Sequence, residues 1–368
     1  MLRKAEARFI ESENRWRIGV QNQGERRYFY SSILGKRGKH EAEQKADEWL
    51  QYKNRADEKI SVLYEEYIAS KQGFLRGTSL LNFNSIYKHY VADEIGKIFI
   101  GKLTRNQAQA CIDKAFLMGK SKATLNKIKN TITCIADYAA GEKIRASSFK
   151  DLYIPDGAHE GQRNILSKKE IETLFSSACN TAKLINLFRL ATVLGLRRGE
   201  LIGLKWSDFA TAQGTSTLTV NRAINYLQEE TTGKTKNAIR TIVLPQIAID
   251  ILEKQKKETI KAFGYCPEFV FIDENGNHLN PNILYQDWKA FCKKYGISSL
   301  PFHSLRHTMI SYAKSDLSIE TIKSIVGHSA TMNTTAVYGH AIEGELQQGA
   351  QAINKLFLNI TKSSSITQ

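Results

Sequence analysis

The pattern of apolar and polar residues near the amino terminus has a period of two. Apolar and other residues alternate here in the order Arg15, Trp16, Arg17, Ile18, Gly19, Val20. This period predicts a strand with one apolar face and one face that carries the arginines. The aromatic-rich run from Arg26 to Ser31 predicts a second strand. The stretch Gly35-Lys36-Arg37-Gly38 is interpreted as a basic turn, and residues 40–54 as a helix.

From residue 56 to residue 145 the apolar residues follow helical spacing, so this region is expected to be all-helical. The positions that carry this pattern are Ile60, Leu63, Tyr64, Tyr67 and Ile68, and later Leu125, Ile128, Ile132 and Ile135. The periodicity is lost over residues 146–165, which contain Pro155, Gly157 and Gly161. That loss predicts a domain linker.

Beyond this stretch helices are predicted to dominate up to residue 345. Ser167 and Glu170 have the spacing of a capping box at a helix start. Residues 217–224 and 239–244 are the best strand candidates and are compatible with a hairpin. In the tail, Leu346, Ala350, Ile353 and Phe357 lie at helical spacing, and they could pack on a neighbouring protomer or on their own domain.

The expected fold is mainly α with small β-sheets and is divided into several domains. The predicted parts are a sheet-plus-helix domain at 1–55, a helical domain at 56–145, a linker at 146–165, a mixed α/β domain at 166–345 and a tail at 346–368. The length of 368 residues is ample for two or three such domains.

The chain has a formal net charge of +15, which favours a polyanionic partner such as DNA. Residues 1–40 alone hold ten Lys and Arg against four Glu. A small basic sheet of this kind can enter a DNA major groove, whereas a merely solvated strand face is the alternative. The candidate DNA-contacting residues are Arg15, Arg17, Arg26, Lys36 and Arg37, and in the helical region Lys122, Lys127 and Lys129.

The amino terminus lacks the apolar core of a signal peptide, and no apolar run approaches the length of a membrane helix. The five cysteines are scattered and show no zinc-ligand spacing, so they are expected to be reduced and mostly buried. These features predict a cytoplasmic protein without a membrane partner and without a metal site.

Four short clusters carry candidate chemistry, and each is weak alone. They are Gly195-Leu-Arg197-Arg-Gly-Glu200-Leu, Lys234-Thr-Lys236, His303-Ser-Leu-Arg306-His, and Gly327-His328-Ser followed by Tyr338-Gly-His. On a helix, the spacing of three between His303 and Arg306 would place both side chains on one face.

In this order the clusters resemble the catalytic set of the tyrosine recombinases, also called phage integrases. The resemblance covers about residues 165–345, and it extends more weakly to the layout of an arm-binding, a core-binding and a catalytic domain. It implies a site-specific recombinase that cleaves and rejoins DNA through a 3′-phosphotyrosyl intermediate. The implied roles are Tyr338 as nucleophile, Arg197, Arg306 and His328 as phosphate ligands, His303 as base, Lys234 as acid and Glu200 as a supporting residue.

Two details depart from the family pattern. Tyr338 follows His328 by ten positions, one more than in many members. Lys236 could fill the role assigned to Lys234.

The resemblance further implies a mobile-element integrase, from a phage or a conjugative transposon, that needs no cofactor. Its partners would be double-stranded DNA at core and arm attachment sites and three further copies of the chain in a tetramer, with room for an excisionase or a DNA-bending accessory protein. The alternatives are a Xer-type resolvase, a DNA invertase, a type IB-like topoisomerase and a DNA-binding protein that has lost catalysis.

Overall fold

The computed structural model describes residues 5–22, 24–140, 149, 151–161, 164–232, 239–327 and 345–362. The chain divides into two compact units, Met1–Gln162 and Arg163–Gln368. Both are mainly helical with small antiparallel sheets, which confirms the predicted fold class. None of the helices in the described ranges is both long and apolar enough to cross a membrane.

The first unit begins with a three-stranded antiparallel sheet in the order β1-β2-β3, covered by helix α1. The elements are β1 Arg8–Ile10, β2 Arg15–Asn22, β3 Glu25–Ser31 and α1 Gly35–Arg55. Ile18 and Val20 are buried together with Ala42, Ala46 and Trp49 of α1. The period of two therefore did mark the face of β2 that packs on the helix.

The prediction of a basic turn at residues 35–38 was wrong, because these residues form the first turn of α1. A side chain at Gly38 would overlap the carbonyl oxygen of Ile33, so a glycine lets the helix begin close against the incoming chain. Lys36 and Arg37 are exposed on this turn.

Helices make up the rest of the first unit. They are α2 Ile60–Lys71, α3 Gly77–Tyr90, α4 Ala92–Ile95, α5 Arg105–Leu117 and α6 Lys122–Ala140. Leu125, Ile128, Ile132 and Ile135 of α6 are all buried in a core separate from that of the sheet. The helical periodicity of this region is thereby confirmed.

Residues 149–161 follow α6 with little regular structure, but they are attached to the helical core. Phe149, Leu152 and Ala158 are buried in it. The ammonium of Lys129 donates a hydrogen bond to the carbonyl of Leu152. The described part of the predicted linker is thus packed against the first unit, and the division into three domains stays a prediction.

The second unit surrounds the buried helix α8. Its helices are α7 Lys168–Phe175, α8 Ile185–Leu194, α9 Arg198–Ile202, α10 Gln246–Phe263, α11 Pro281–Tyr295, α12 Ser304–Ala313, α13 Ile319–Val326 and α14 Glu345–Lys362. Every residue of α8 is buried, as expected for a helix that is apolar on almost all sides.

Two small sheets flank this core. Their strands are β4 Phe209–Ala212, β5 Thr215–Val220, β6 Arg222–Ile224, β7 Glu230–Thr232 and β8 Arg240–Val243. The first sheet has the order β4-β5-β8, and β6 pairs with β7 in the second. The two predicted strands do pair, with Thr217 opposite Val243, although the first one is divided at Asn221.

The carboxy-terminal helix α14 packs on its own unit. Ile353, Phe357 and Ile360 are buried in the core, and the Phe357 ring lies 5.9 Å from that of Phe175. Of the two packings that the sequence leaves open, the structure shows the one within the chain.

The predicted capping box is present at the start of α7. The Ser167 hydroxyl accepts a hydrogen bond from the backbone N–H of Glu170, and the Glu170 carboxylate accepts one from the N–H of Ser167 at 2.7 Å. Its other oxygen accepts the N–H of Ser298 at 2.7 Å. Burial alone would raise the pKa of Glu170, but the hydrogen bonds from Ser298 and Ser167 outweigh it and lower the pKa to about 2.

We expect Glu170→Gln to lower the free energy of unfolding by about 1 kcal/mol at pH 7. Because the folded-state pKa is depressed, the contribution of Glu170 is present above its usual pKa of 4.5 and is lost as the pH falls towards 2. Denaturant unfolding from pH 7 to pH 3 measures this difference. Glu172→Gln on the same helix is the charge-matched control, and a difference from wild type that stayed constant below pH 4.5 would contradict the assignment.

Candidate active site

The first of the four sequence clusters, residues 195–201, lies where two helices meet. Helix α8 ends at Gly195, which adopts a left-handed backbone with φ of 60° that favours glycine. Two residues later Arg197 caps the amino terminus of α9. Glu200, in the first turn of α9, accepts the backbone N–H of Arg197 at 2.9 Å and its guanidinium Nη1 at 2.7 Å. The turn therefore fixes both the main chain and the side chain of Arg197.

Glu200 is buried and shared with a second arginine, Arg240, at the start of β8. The Arg240 Nη2 donates to Glu200 Oε2 at 2.9 Å and its Nη1 to Oε1 at 3.2 Å. Burial alone would raise the pKa of Glu200, but Arg240, followed by Arg197, reverses that effect and lowers it. Glu200 is therefore an anion that joins two guanidinium groups.

Arg306 is the most deeply buried arginine of the cluster, with 1% of its surface exposed. From α12 it donates through Nη1 to the carbonyl of Gly195 and through Nη2 to that of Val326, both at 2.7 Å. Arg197 likewise donates to the carbonyl of Gly327 at 2.9 Å. The structure thus brings together Arg197, Glu200 and Arg306, as the sequence order suggested.

These three side chains and Arg240 form what we call the arginine cluster. It combines three guanidinium groups with one carboxylate and so carries an excess of two positive charges. Burial, and next the charge of Arg197, lower the pKa of Arg306 below its usual value. A partly buried positive cluster that repels itself is a favourable site for an anion such as a phosphodiester.

His303 immediately precedes α12 and is exposed, whereas Arg306 one turn later is buried. The His303 ring contacts that of His307 edge to face, with centroids 4.7 Å apart. The two predicted site residues of this motif therefore share a helix end but differ in environment.

The remaining predicted catalytic residues lie outside the described residues. They are Lys234 and its alternative Lys236, His328, and Tyr338. Their neighbours in the chain are described: β8 begins at Arg240, and Gly327 ends α13 one residue before His328. The roles of these residues stay predictions.

Arg240 was not singled out from the sequence. It opens the strand-like run Arg240-Thr-Ile-Val-Leu-Pro, where it reads as an ordinary polar end of a strand. Its partner Glu200 lies 40 residues away, so no local pattern reports the contact. A basic residue four positions after Lys236 was the only signal in the sequence.

The exposed face of the amino-terminal sheet is basic and aromatic. The Arg15 guanidinium lies 4.1 Å from the centre of the Tyr30 ring, and Arg17 and Arg26 lie 5.4 and 5.3 Å from that of Tyr28. These cation–π contacts hold the arginines over the sheet surface.

In the helical part, Lys122 and Lys127 are exposed. Lys122 also pairs with Glu160 at 3.4 Å. Lys129 is half-buried and bonded to a carbonyl, so it is less available to DNA than the other two.

Among the residues that the structure describes, no group of three or more His, Cys, Asp or Glu side chains is arranged to hold a metal ion. The five cysteines are free thiols, of which Cys111, Cys179 and Cys292 are buried.

Comparison with known proteins agrees with this geometry. The sequence model described as the phage integrase family matches residues 164–345. A tyrosine recombinase XerC-like protein of Caldanaerobacter subterraneus subsp. tengcongensis is 28% identical over 76% of this chain and 78% of its own. The ICEBs1 integrase of Bacillus subtilis is 22% identical over 79% of this chain and 81% of its own.

Two solved structures share the fold. The Tn1549 transposon integrase in complex with a circular intermediate DNA has a TM-score of 0.63, is 18% identical and covers 78% of this chain and 97% of its own. A lambda integrase tetramer bound to a Holliday junction has a TM-score of 0.57, is 17% identical and covers 88% of this chain and 92% of its own.

Residues 164–345 thus form a domain of the phage integrase family, and the enzyme class is that of the tyrosine site-specific recombinases. The resemblance first seen in the order of four motifs is thereby confirmed.

Proposed function

We propose that this protein is the integrase of a mobile element, which cleaves and rejoins DNA through a 3′-phosphotyrosyl bond to Tyr338. The observation that carries the proposal is the convergence of Arg197 and Arg306 on the end of α13, one residue before His328. This arrangement can present two guanidinium groups to a single phosphodiester and place a histidine beside them.

In the proposed reaction the phenol oxygen of Tyr338 attacks the scissile phosphorus. A bond forms between that oxygen and phosphorus, and the bond from phosphorus to the 5′ oxygen breaks. His303 accepts the phenol proton, and Lys234 gives a proton to the departing 5′ oxygen. Arg197, Arg306 and His328 stabilise the charge that gathers on the non-bridging oxygens.

The covalent bond keeps the strand activated. A 5′ hydroxyl of another strand attacks the phosphotyrosine, re-forms the phosphodiester and returns the proton to Tyr338, so the reaction needs no ATP. We propose that four copies of the chain carry out paired exchanges on two DNA sites. The lambda integrase tetramer on a Holliday junction, which shares the fold, supports this assembly.

The basic face of the amino-terminal sheet supports the assignment to a mobile element, because it offers a second DNA-binding surface for arm sites. We propose that Arg15, Arg17 and Arg26 contact this DNA, with Lys36 and Arg37 at the start of α1. The Tn1549 integrase found by comparison is a transposon integrase by name. In the helical part, Lys122 and Lys127 are the proposed contacts to the core site.

We expect the double variant Arg17→Gln, Arg26→Gln to bind duplex DNA from the element ends more weakly, with a salt dependence flatter by about two counterions. Fluorescence anisotropy between 50 and 300 mM salt measures both quantities. The charge-matched control is Lys39→Gln, Lys45→Gln on the helix that covers the other face. An equal loss in both variants would show that net charge alone matters.

The proposed function is tested with a nicked duplex that spans the joined ends of the resident element. Cleavage next to the nick releases a short strand that cannot return, so the covalent protein–DNA complex accumulates. Proteolysis and mass spectrometry then locate the bonded residue, which is expected to be Tyr338. Site-specific joining of two intact duplexes should follow. Relaxation of supercoils without such joining would indicate a topoisomerase instead.

A further inference from the structure

Three consecutive carbonyl groups lie at the end of α13: those of its last two residues and that of its cap, Gly327. Each accepts a hydrogen bond from a different arginine of the cluster. Arg240 Nε donates to Ile325 at 2.7 Å, Arg306 to Val326 at 2.7 Å and Arg197 to Gly327 at 2.9 Å. Carbonyls at the carboxyl end of a helix lack intrahelical partners and sit at its negative pole, so cations bind well there. The position of this helix end is thus tied to all three guanidinium groups.

Arg240 differs from Arg197 in what it can reach. Its side chain is 7% exposed, whereas that of Arg197 is 40% exposed. Its three guanidinium nitrogens donate hydrogen bonds to both carboxylate oxygens of Glu200 and to the carbonyl of Ile325. Arg240 is therefore placed to act on the site through its protein partners.

The charge of Arg240 changes what Arg197 can do. Glu200 bonds to both arginines, so its single negative charge is divided between them. Without Arg240, that charge would be offset by Arg197 alone, and the cluster would have an excess of one positive charge instead of two. A phosphodiester that approaches Arg197 would then compete with Glu200 for its guanidinium.

Arg240 also belongs to an edge strand of the sheet β4-β5-β8. It is the first residue of β8 and lies opposite Val220 of β5. Its bond to Ile325 joins this strand to the end of α13. Strand β8 and the end of α13 are thereby connected through one largely buried side chain.

We propose that Arg240 is a positioning residue for DNA cleavage, which keeps Arg197 available to the phosphate and fixes β8 to the end of α13. The inference rests on the proposed function, since it concerns the same phosphoryl transfer. A purely stabilising ion pair is the competing explanation. Removal of one partner of a buried ion pair is destabilising, so the cleavage rate has to be corrected for the folded fraction before the two explanations are compared.

The experiment measures single-turnover cleavage of the nicked duplex at saturating protein, the protein concentration for half-maximal binding, and thermal unfolding. Arg240→Met is expected to lower the cleavage rate about 100-fold while half-maximal binding changes less than about threefold. Arg189→Met is the matched control, because Arg189 is an equally buried arginine of the same unit. It bonds to Leu174, Ser176 and Asn180 and not to the cluster. Its cleavage rate per folded protein should remain that of wild type.

Two further measurements distinguish the electrostatic effect of Arg240 from its structural effect. Adding Glu200→Gln to Arg240→Met restores the excess of two charges and should recover at least tenfold of the rate. A methylphosphonate at the scissile position removes the negative charge of the phosphate, so the deficit of Arg240→Met should shrink severalfold on this substrate. If Arg240→Met does not fold, Arg240→Lys, which keeps the charge but loses the three-pronged contact, should cleave about tenfold more slowly than wild type.

The outcomes distinguish the two proposals. Wild-type protein that forms no covalent complex would refute the proposed function itself. Wild-type cleavage combined with equal rates for Arg240→Met and Arg189→Met would refute the role of Arg240 alone. A deficit that neither the second substitution nor the neutral phosphate reduces would overturn the electrostatic part and identify a structural contact.

Discussion

A Tyr338→Phe variant is expected to bind DNA as wild type does and to form no covalent complex with the nicked duplex. Phenylalanine keeps the ring and removes the only atom that could bond to phosphorus, so cleavage should fall by a factor on the order of 10⁴ or more. Denaturing gel electrophoresis of protein on end-labelled DNA measures this directly. Anisotropy with the same DNA confirms that binding is retained.

Tyr312→Phe is the control for this prediction. Tyr312 lies within α12, where burial raises the pKa of its hydroxyl and makes the phenolate harder to form. Its loss should leave cleavage within about threefold of wild type. A covalent complex that survives in Tyr338→Phe and disappears in Tyr312→Phe would show that Tyr312 is the nucleophile and Tyr338 is not. The unusual ten-residue spacing from His328 makes this comparison worth performing.

The parts of the fold that could be predicted from sequence are those where burial repeats with a fixed period. Ile18 and Val20 mark the buried face of β2, and Leu125 and Ile128 mark that of α6. Residues one period apart lie on the same face, so several positions along an element indicate the same buried side. Three-residue strands such as β1 have no room for a period and were missed.

The basic turn predicted at residues 35–38 failed for a different reason. Glycine at two of four positions favours a turn when only local propensity is considered. In the folded chain the bare backbone of Gly38 lets the first turn of α1 lie against the Ile33 carbonyl. Contact with another segment decides the conformation there, and composition does not contain that information.

In the candidate site, too, contacts between residues close in sequence could be predicted, and contacts between distant residues could not. Arg197 and Glu200 stand three residues apart on one helical turn, and their contact follows from spacing. The contacts of Arg240 with Glu200 and with Ile325 span 40 and 85 residues. They arise only when β8, α9 and α13 are packed together. Sequence motifs therefore identified Arg197, Glu200 and Arg306, and they overlooked Arg240, whose contacts with Glu200 and Ile325 are distant in the chain.

Arg306→Lys is expected to damage both catalysis and folding, although it keeps the positive charge. A single ammonium group cannot repeat the two bonds of 2.7 Å that the guanidinium makes to Gly195 and Val326. One buried carbonyl should then lose its partner, which costs about 1–3 kcal/mol of unfolding free energy. Cleavage should fall about 10²- to 10³-fold, since the planar fork that would bind the phosphate is lost as well.

Arg198→Lys provides the comparison within the same set of motifs. Arg198 follows Arg197 directly but bonds to the carbonyl of Pro281 at 3.3 Å and lies over the Tyr226 ring, away from the cluster. Its replacement should change cleavage less than about threefold. Rates corrected for the folded fraction, measured by single-turnover cleavage beside thermal unfolding, separate the two effects of Arg306→Lys. If the corrected rate of Arg306→Lys equalled that of Arg198→Lys, Arg306 would be a structural residue, and the phosphate would have to be held by Arg197 without it.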